Sequence, residues 1–366
     1  MDSPGAAARP AARAGSPESE GVGVEDVSAE GRVTRAPAMT DVARLAGVSH
    51  QTVSRVLNGH PNVREQTRLR VRAAIEELGY RPNRAARTLA TGRSQLLGVV
   101  APNSTLFGPA SLLAAFEWAA GTAGFSVSVR RVGVLDRPSI AAAVEHHRDQ
   151  RVAGIVVIAP TASANEALAE IPSTVPVVTV DGDPLRGTAL VTVDQEAGAM
   201  AATRHLLEAG HPTVWHVSGP SDWFDAAGRV RGWRRALEEA GAEVPPVTPA
   251  DWSAAAGYRA GQMLARMPEV TAVFAANDHL ALGILRAMHE RGRSVPGDVS
   301  LIGFDDVPEA AYYIPPLTTV RADFDEVAGE TLHLLLRRIT DGETGPVRRI
   351  LSPTLVERVS VAAPAR

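Results

Sequence analysis

The chain has 366 residues, 45% hydrophobic and 21% charged, with 37 basic against 41 acidic side chains and a formal net charge of −4. That length exceeds one ordinary domain, and the balance is that of a globular protein with a sizeable core. The absence of cysteine excludes disulfides and thiolate metal sites, while the lack of a membrane-length apolar run or a secretory leader makes a cytoplasmic protein the expectation.

Every basic residue is Arg. The charge is uneven: between Thr40 and Arg93, ten Arg face Asp41, Glu65, Glu76 and Glu77, a surplus of six positive charges that leaves the rest of the chain at −10. A basic segment on an acidic body points to a polyanionic partner for that segment alone.

Residues 1–38 are rich in Ala, Gly, Pro and Ser and read as a disordered tail, because they carry too little apolar surface to offset ordering entropy. A DNA-binding unit is expected over 39–83. Thr40 is a good N-cap for a short helix ending near Ala46, Gly47-Val48 forms a turn, and Ser49 caps a second helix through about Asn58. A third helix from about Arg64 to Leu78 presents Val71, Ala74, Ile75 and Leu78 as one apolar stripe, and Gly79 stops it. After the break at Arg81-Pro82-Asn83, Arg84–Ala90 is a short helical segment within a linker over 84–94.

From residue 95 the pattern changes. Apolar runs at Leu96–Ala101, Gly154–Ala159, Val175–Val180, Thr213–Val217, Ala272–Ala276 and Val299–Phe304 read as buried strands alternating with amphipathic helices. Such alternation predicts an α/β core of parallel sheets, in two lobes rather than one sheet. The boundaries expected are about 95–193 with 322–351 for one lobe, and 194–321 with 352–366 for the other.

In the second helix Val53, Val56 and Leu57 fall inward, while His50, Gln51, Ser54 and Arg55 share one polar face that suits a major groove. Gln bonds adenine and Arg bonds guanine in bidentate fashion, so His50, Gln51 and Arg55 are the candidates for base reading. Ser49, Thr52 and Asn58 are candidates for phosphate contacts.

The run from Thr40 to Gly59 closely resembles the headpiece of the lactose/galactose repressor (LacI/GalR) family, as do Leu78–Asn83 and Ala85–Leu89. The resemblance implies a helix-turn-helix headpiece, a hinge helix over 84–90, and a two-lobed periplasmic-binding-protein-like core with an effector in its cleft. It also implies that Asn83, Ala86, Arg87 and Leu89 act at the minor groove, Leu89 as a wedge that kinks the duplex. Arg64 departs from the family pattern, which places a capping Ser there.

In the core, the resemblance matches Arg229 to the family's ligand-binding arginine, and Trp252 and Phe324 to positions lining the pocket of lactose-responsive members. Asp181, Asn277 and Asp305 follow predicted strands, where open α/β sheets hold ligands. Vicinal hydroxyls suit Asp305 as acceptor, Asn277 as donor and acceptor, and Arg229 as a twofold donor. Trp252, Phe324 and Trp223 offer plates for an apolar sugar face. Asp251-Trp252-Ser253 and Tyr313–Thr319 lean towards lactose-responsive members, favouring a β-galactoside or related β-glycoside. Pro102, Ala322 and a bulkier Trp223-Phe224-Asp225 loop depart from them.

The expected partners are operator double-stranded DNA, a sugar effector and a second copy of the chain, since the C-terminus shows no leucine heptad for a tetramer. No membrane, metal or other cofactor is expected. His146-His147 reads as solvated helix surface. Asp181, Asp305 and Asp194 are posed as enzymatic carboxylates only weakly, because no nucleophile motif or phosphate loop accompanies them. A secreted sugar-binding protein is the other rival, and the helix-turn-helix argues against it.

Overall fold

The computed structural model describes residues 37–57, 59–81, 94–169, 174–182, 189–343 and 345–365. Asn58, Asn83, Ala86, Arg87 and Leu89, with the expected tail over 1–36 and hinge over 84–90, lie outside the described residues. The chain divides into two compact units, Met1–Arg84 and Ala85–Arg366.

In the first unit, helices α1 (Met39–Ala46), α2 (His50–Leu57) and α3 (Glu65–Leu78) enclose a small core of Val42, Val53 and Val71, with Ala43, Ala46, Ala74 and Tyr80 around it. Thr40 does not cap α1. The N-cap is Ala38, whose N–H donates to the Asp41 carboxylate at 2.9 Å, so the helix starts two residues earlier and Thr40 lies inside it. Gly47 supplies the left-handed turn (φ 61°) between α1 and α2, and Gly79 (φ 59°) ends α3 in the same way. Arg64 stands at the N-cap of α3 without a side-chain cap bond.

The second unit carries two six-stranded sheets. Strands β1 (Leu96–Pro102), β2 (Ser126–Val132), β3 (Gly154–Ile158), β4 (Val177–Val180), β5 (Ala189–Val193) and β11 (Val347–Leu351) form the first, in the order β11-β5-β4-β3-β1-β2. Strands β6 (Trp215–Ser218), β7 (Thr248–Pro249), β8 (Ala272–Ala275), β9 (Ser300–Asp305), β10 (Thr318–Arg321) and β12 (Thr354–Val356) form the second, in the order β12-β10-β9-β8-β6-β7. All neighbours run parallel except β10 and β12. The lobes are therefore parallel α/β layers, the second edged by one antiparallel strand.

Helices cover the sheet faces. Helices α4 (Phe107–Thr122) and α11 (Phe324–Asp341) bury Leu112, Phe116, Val327 and Leu335 against Leu97, Val99 and Val156 of the first sheet. Helices α7 (Gln195–Glu208) and α8 (Phe224–Glu239) bury Leu206 and Trp233 against Phe274 and Ile302 of the second. The chain passes between the sheets at Asp194, at Ala322-Asp323 and at Ser352-Pro353. Asp194 and Asp323 each cap the helix that follows, accepting from Ala197 and Glu326 N–H at 2.9 Å.

His147 corrects one expectation. It sits on helix α5 (Arg137–Asp149), but it is fully buried, with Nε2 3.2 Å from the Val99 carbonyl and its ring filling the space a Cβ on Gly98 would take. His146 alone faces solvent, because α5 turns only one side of that pair outward. Among the described residues no helix is long and apolar enough to cross a membrane.

Candidate functional site

Each sheet has the strand order of a doubly wound fold, which opens a crevice beyond the carboxyl ends of its strands. The loops after those ends face each other across a cleft in the second unit. Its two adjoining chambers, of about 430 and 310 Å³ including space open to solvent, share Gly108, Pro109, Trp223, Asp225, Arg229 and Asp305 in their walls. The structure brings all seven effector candidates to this cleft: Asp181 and Phe324 line the larger chamber, Trp252 and Asn277 the smaller, and Trp223, Arg229 and Asp305 both.

Arg229 is the hub. It rises from α8 with Nε donating to the Gln195 side-chain oxygen at 2.9 Å, one terminal nitrogen donating to the Ala276 carbonyl, and the other to Asp305 at 3.4 Å. Its guanidinium carbon lies 3.7 Å from the centroid of Phe304. A buried guanidinium needs this satisfaction, since stranding its charge away from water costs several kcal/mol. The fork is thereby fixed at the base of the cleft, with most of its donors already engaged.

Asp305 ends β9 with φ 102°, and Asp306 follows at φ 53°. Two successive left-handed residues turn the carboxylates to opposite tasks. Asp306 binds Arg321 and Arg358, each at 2.6 Å, while Asp305 faces the cleft. Burial pushes the Asp305 carboxyl up to about 6, with Arg229 pulling the other way. Asp181, at φ 60° after β4, is pushed well above the usual carboxylate range, first by burial and then by Asp225. Left-handed aspartates at two strand ends are backbone strain concentrated at one site.

Asn277 splits its amide between two backbone groups: its oxygen caps helix α10 (Asp278–Glu290) through Leu280 N–H at 2.8 Å, and its nitrogen donates to the Trp252 carbonyl at 3.2 Å. Asp278 is turned inward, where its carboxylate accepts from Val307 N–H at 2.9 Å and Thr319 Oγ1 at 2.6 Å.

The aromatic walls come from both lobes. Trp223 packs edge-on against Trp252, with centroids 5.5 Å apart, and Phe324 packs edge-on against Phe107 at 5.9 Å. Trp252 is only 8% exposed, and its Nε1 has no hydrogen-bond partner among the described residues. Trp223-Phe224-Asp225 is not a loop: Trp223 is the N-cap of α8, and Phe224 and Asp225 form its first turn. The cleft edge is tied by Phe224 N–H to the Pro160 carbonyl at 2.9 Å and by an isolated bridge between Thr161 and Trp223.

Two polar lining residues escaped the sequence reading as site residues. Asp225 stands one helical turn before Arg229, 3.9 Å from its guanidinium, and the Asp-x-x-x-Arg spacing was the available signal. Gln195 carried no local signal, since it meets Arg229 only through the packing of α7 on α8.

In the first unit His50, Gln51 and Arg55 are exposed on α2, while Val53 is buried beneath them. Ser49 accepts from Thr52 N–H at 3.2 Å, and the two hydroxyls lie 2.9 Å apart, so Ser49 caps α2 as its position predicts.

The family of bacterial regulatory proteins of the lacI type matches residues 38–83, and a periplasmic binding protein-like domain matches residues 203–361. The lactose operon repressor of Escherichia coli (strain K12) is 35% identical over 328 residues, covering 88% of this chain and 90% of that protein. A solved lac repressor dimer, bound to operator and the anti-inducer ONPF, superposes with a TM-score of 0.82 at 32% identity, covering 90% of this chain and 100% of that one. A complex of the transcriptional regulator CelR with cellobiose superposes at 0.65, with 33% identity over 88% of this chain and 99% of that one.

Proposed function

The chain belongs to the LacI family of bacterial transcriptional regulators, and from that premise we propose that it represses a carbohydrate-utilisation operon and leaves its operator when a sugar inducer binds. The inducer is a β-galactoside or related β-glycoside. The observation that carries this reading is the cleft, in which a fixed guanidinium and carboxylates lie among four aromatic side chains. Polar groups of that kind pair with vicinal hydroxyls, and aromatic faces cover the apolar side of a pyranose.

The reading unit is α2. His50, Gln51 and Arg55 meet base edges in the major groove, Ser49 and Thr52 meet phosphates, and two copies of the chain read two half-sites. Asn58, Asn83, Ala86, Arg87 and Leu89 keep the phosphate and minor-groove roles that the family resemblance implies. The sugar favours a lobe arrangement that separates the hinges. Its differential affinity for the two arrangements sets the limit on release, with about 5.5 kcal/mol needed to move a 1:99 balance to 99:1.

A β-glucoside is the second reading. The likeness to CelR, solved with cellobiose, and the bulk of Trp223 at the cleft favour it. Gel shifts on operator-length DNA with a panel of glycosides test both. Release by galactosides supports the first and release by glucosides the second. Tightening of the complex by a sugar overturns induction, and DNA binding without salt or sequence dependence overturns the regulator reading.

A further inference from the structure

The cleft holds more acidic groups than one guanidinium offsets. Asp181 from the first lobe and Asp225 and Asp305 from the second line the larger chamber, and Arg229 is the one basic residue of its walls among the described residues. Arg229 is already committed to Gln195, the Ala276 carbonyl and Asp305. Asp225 lies 3.9 Å from it, an ion-pair distance beyond hydrogen-bond reach.

Among the described residues no hydrogen bond reaches the side-chain carboxyl oxygens of Asp181 or Asp225. Burial is the first cause raising both carboxyls, and their mutual repulsion adds to it for Asp181. Two half-buried carboxyl groups on opposite walls, sharing one guanidinium, form a cation-receiving pair. Among the described residues no three His, Asp or Glu are placed to hold a metal ion, which favours an organic cation.

An independent observation indicates what else that cation carries. The indole Nε1 of Trp252 is a donor without an acceptor in a side chain more than nine-tenths buried, on the wall of the adjoining chamber. A ligand oxygen that reaches Nε1 would satisfy this donor. Ammonium at one end, hydroxyl or ether oxygen at the other, and apolar faces against Trp223 and Phe324 together describe an amino sugar.

We infer that the effector is an amine-bearing glycoside whose protonated amine sits between Asp181 and Asp225. This rests on reading the cleft as a sugar site and narrows that reading. Three ammonium protons suit two carboxylates from opposite lobes, so the ligand also ties the lobes together. Charge-assisted bonds of this kind are roughly twice as strong as neutral ones. The titratable and charged groups facing the amine are Asp181, Asp225, Asp305 and Arg229.

The test is calorimetry on the full chain with three β-1,4 disaccharides that differ only at the C2 substituents: the glucosamine disaccharide (amine), its N-acetylated form, and cellobiose (hydroxyl). The pair of deacetylated lactosamine and lactose is run alongside. The amine forms are expected to bind at least about tenfold more tightly than their hydroxyl counterparts at pH 7. Their binding is also expected to release protons, seen as an enthalpy that varies with the buffer's ionisation heat. Asp225→Asn is expected to reduce the preference of amine over hydroxyl forms to within about threefold.

Hydroxyl forms binding as well as or better than amine forms overturns the inference and leaves the sugar site standing. No binding by any of the sugars overturns both. The comparison on the unmodified chain decides even if Asp225→Asn fails to fold.

Discussion

Gly219 lies directly under the indole of Trp252: a Cβ built on the glycine would stand 2.3 Å from Cη2 and 2.5 Å from two neighbouring ring carbons. Only glycine leaves the ring where it is, between the end of β6 and the cleft. Gly219→Ala must push Trp252 into the space that a ligand would use. Overpacking of this kind costs about 1–3 kcal/mol. The variant should need about tenfold more effector to leave its operator, while binding operator normally without effector. Titration of the operator complex in both forms measures this, and an unchanged effector midpoint would show that Trp252 does not meet the ligand.

Arg229 and Asp305 form a pair that is more costly to break than to remove. Both side chains are at least nine-tenths buried. Arg229→Met leaves Asp305 without its partner and the Gln195 oxygen and Ala276 carbonyl without a donor. It should lower stability by about 3–5 kcal/mol. Adding Asp305→Asn to that variant removes the stranded charge and should restore at least about 1 kcal/mol, a non-additive result for residues in contact. Urea unfolding of the two single variants and the double variant gives the coupling directly; strict additivity would mean that the pair is not coupled.

Gln51 and Arg55 on α2 differ in what they remove from a DNA complex. Gln51→Ala takes away a bidentate partner for adenine but no charge. It should cost about 1–3 kcal/mol on the operator, leave affinity for random DNA unchanged and preserve the slope of affinity with salt. Arg55→Ala should weaken both and flatten the salt slope if it also meets phosphate. Equal losses on operator and random DNA for Gln51→Ala would place that residue outside the base-reading set.

The buried strands were legible because they are continuous apolar runs: Leu96–Pro102, Gly154–Ile158 and Ala272–Ala275 are almost wholly buried. Strands β2, β5, β7, β10, β11 and β12 fell outside the expected runs. Ser126–Val132 and Val347–Leu351 are sheet edges, half open to solvent, and an Arg pair interrupts the apolar pattern of each. The cleft was legible where chemistry follows a strand, as at Asp181, Asn277 and Asp305. It was illegible where contact depends on helix packing. Gln195 is 34 positions before Arg229 and meets it only because α7 and α8 lie side by side. Thr40 illustrates the limit at short range: a good capping residue was displaced because Asp41 caps from inside the helix.

Two buried groups give the core opposite responses to acid. His216 lies between Phe274, with centroids 4.7 Å apart, and Trp233, at 5.4 Å, and its Nδ1 is 2.9 Å from the Phe274 carbonyl. Burial holds its imidazole down at about 4, below the 6.5 of an exposed histidine. The unfolded chain therefore takes up the proton first, and the stability that neutral His216 confers above pH 6.5 drains away as pH falls towards 4. Asp305 runs the other way. Its carboxyl, raised by burial from 3.8 to about 6, is protonated first in the folded state, so its contribution is complete below pH 3.8 and is lost as pH rises through 6. Each effect is worth at most roughly 3 kcal/mol, and they partly cancel between pH 4 and 6.5. The substitutions separate them. The stability gap between wild type and His216→Asn should move against the wild type as pH falls from 7 to 4.5. The gap between wild type and Asp305→Asn should move in its favour over the same range. Urea unfolding at half-unit pH steps resolves the two slopes, and slopes of the same sign in both variants would refute the assignment of one or the other.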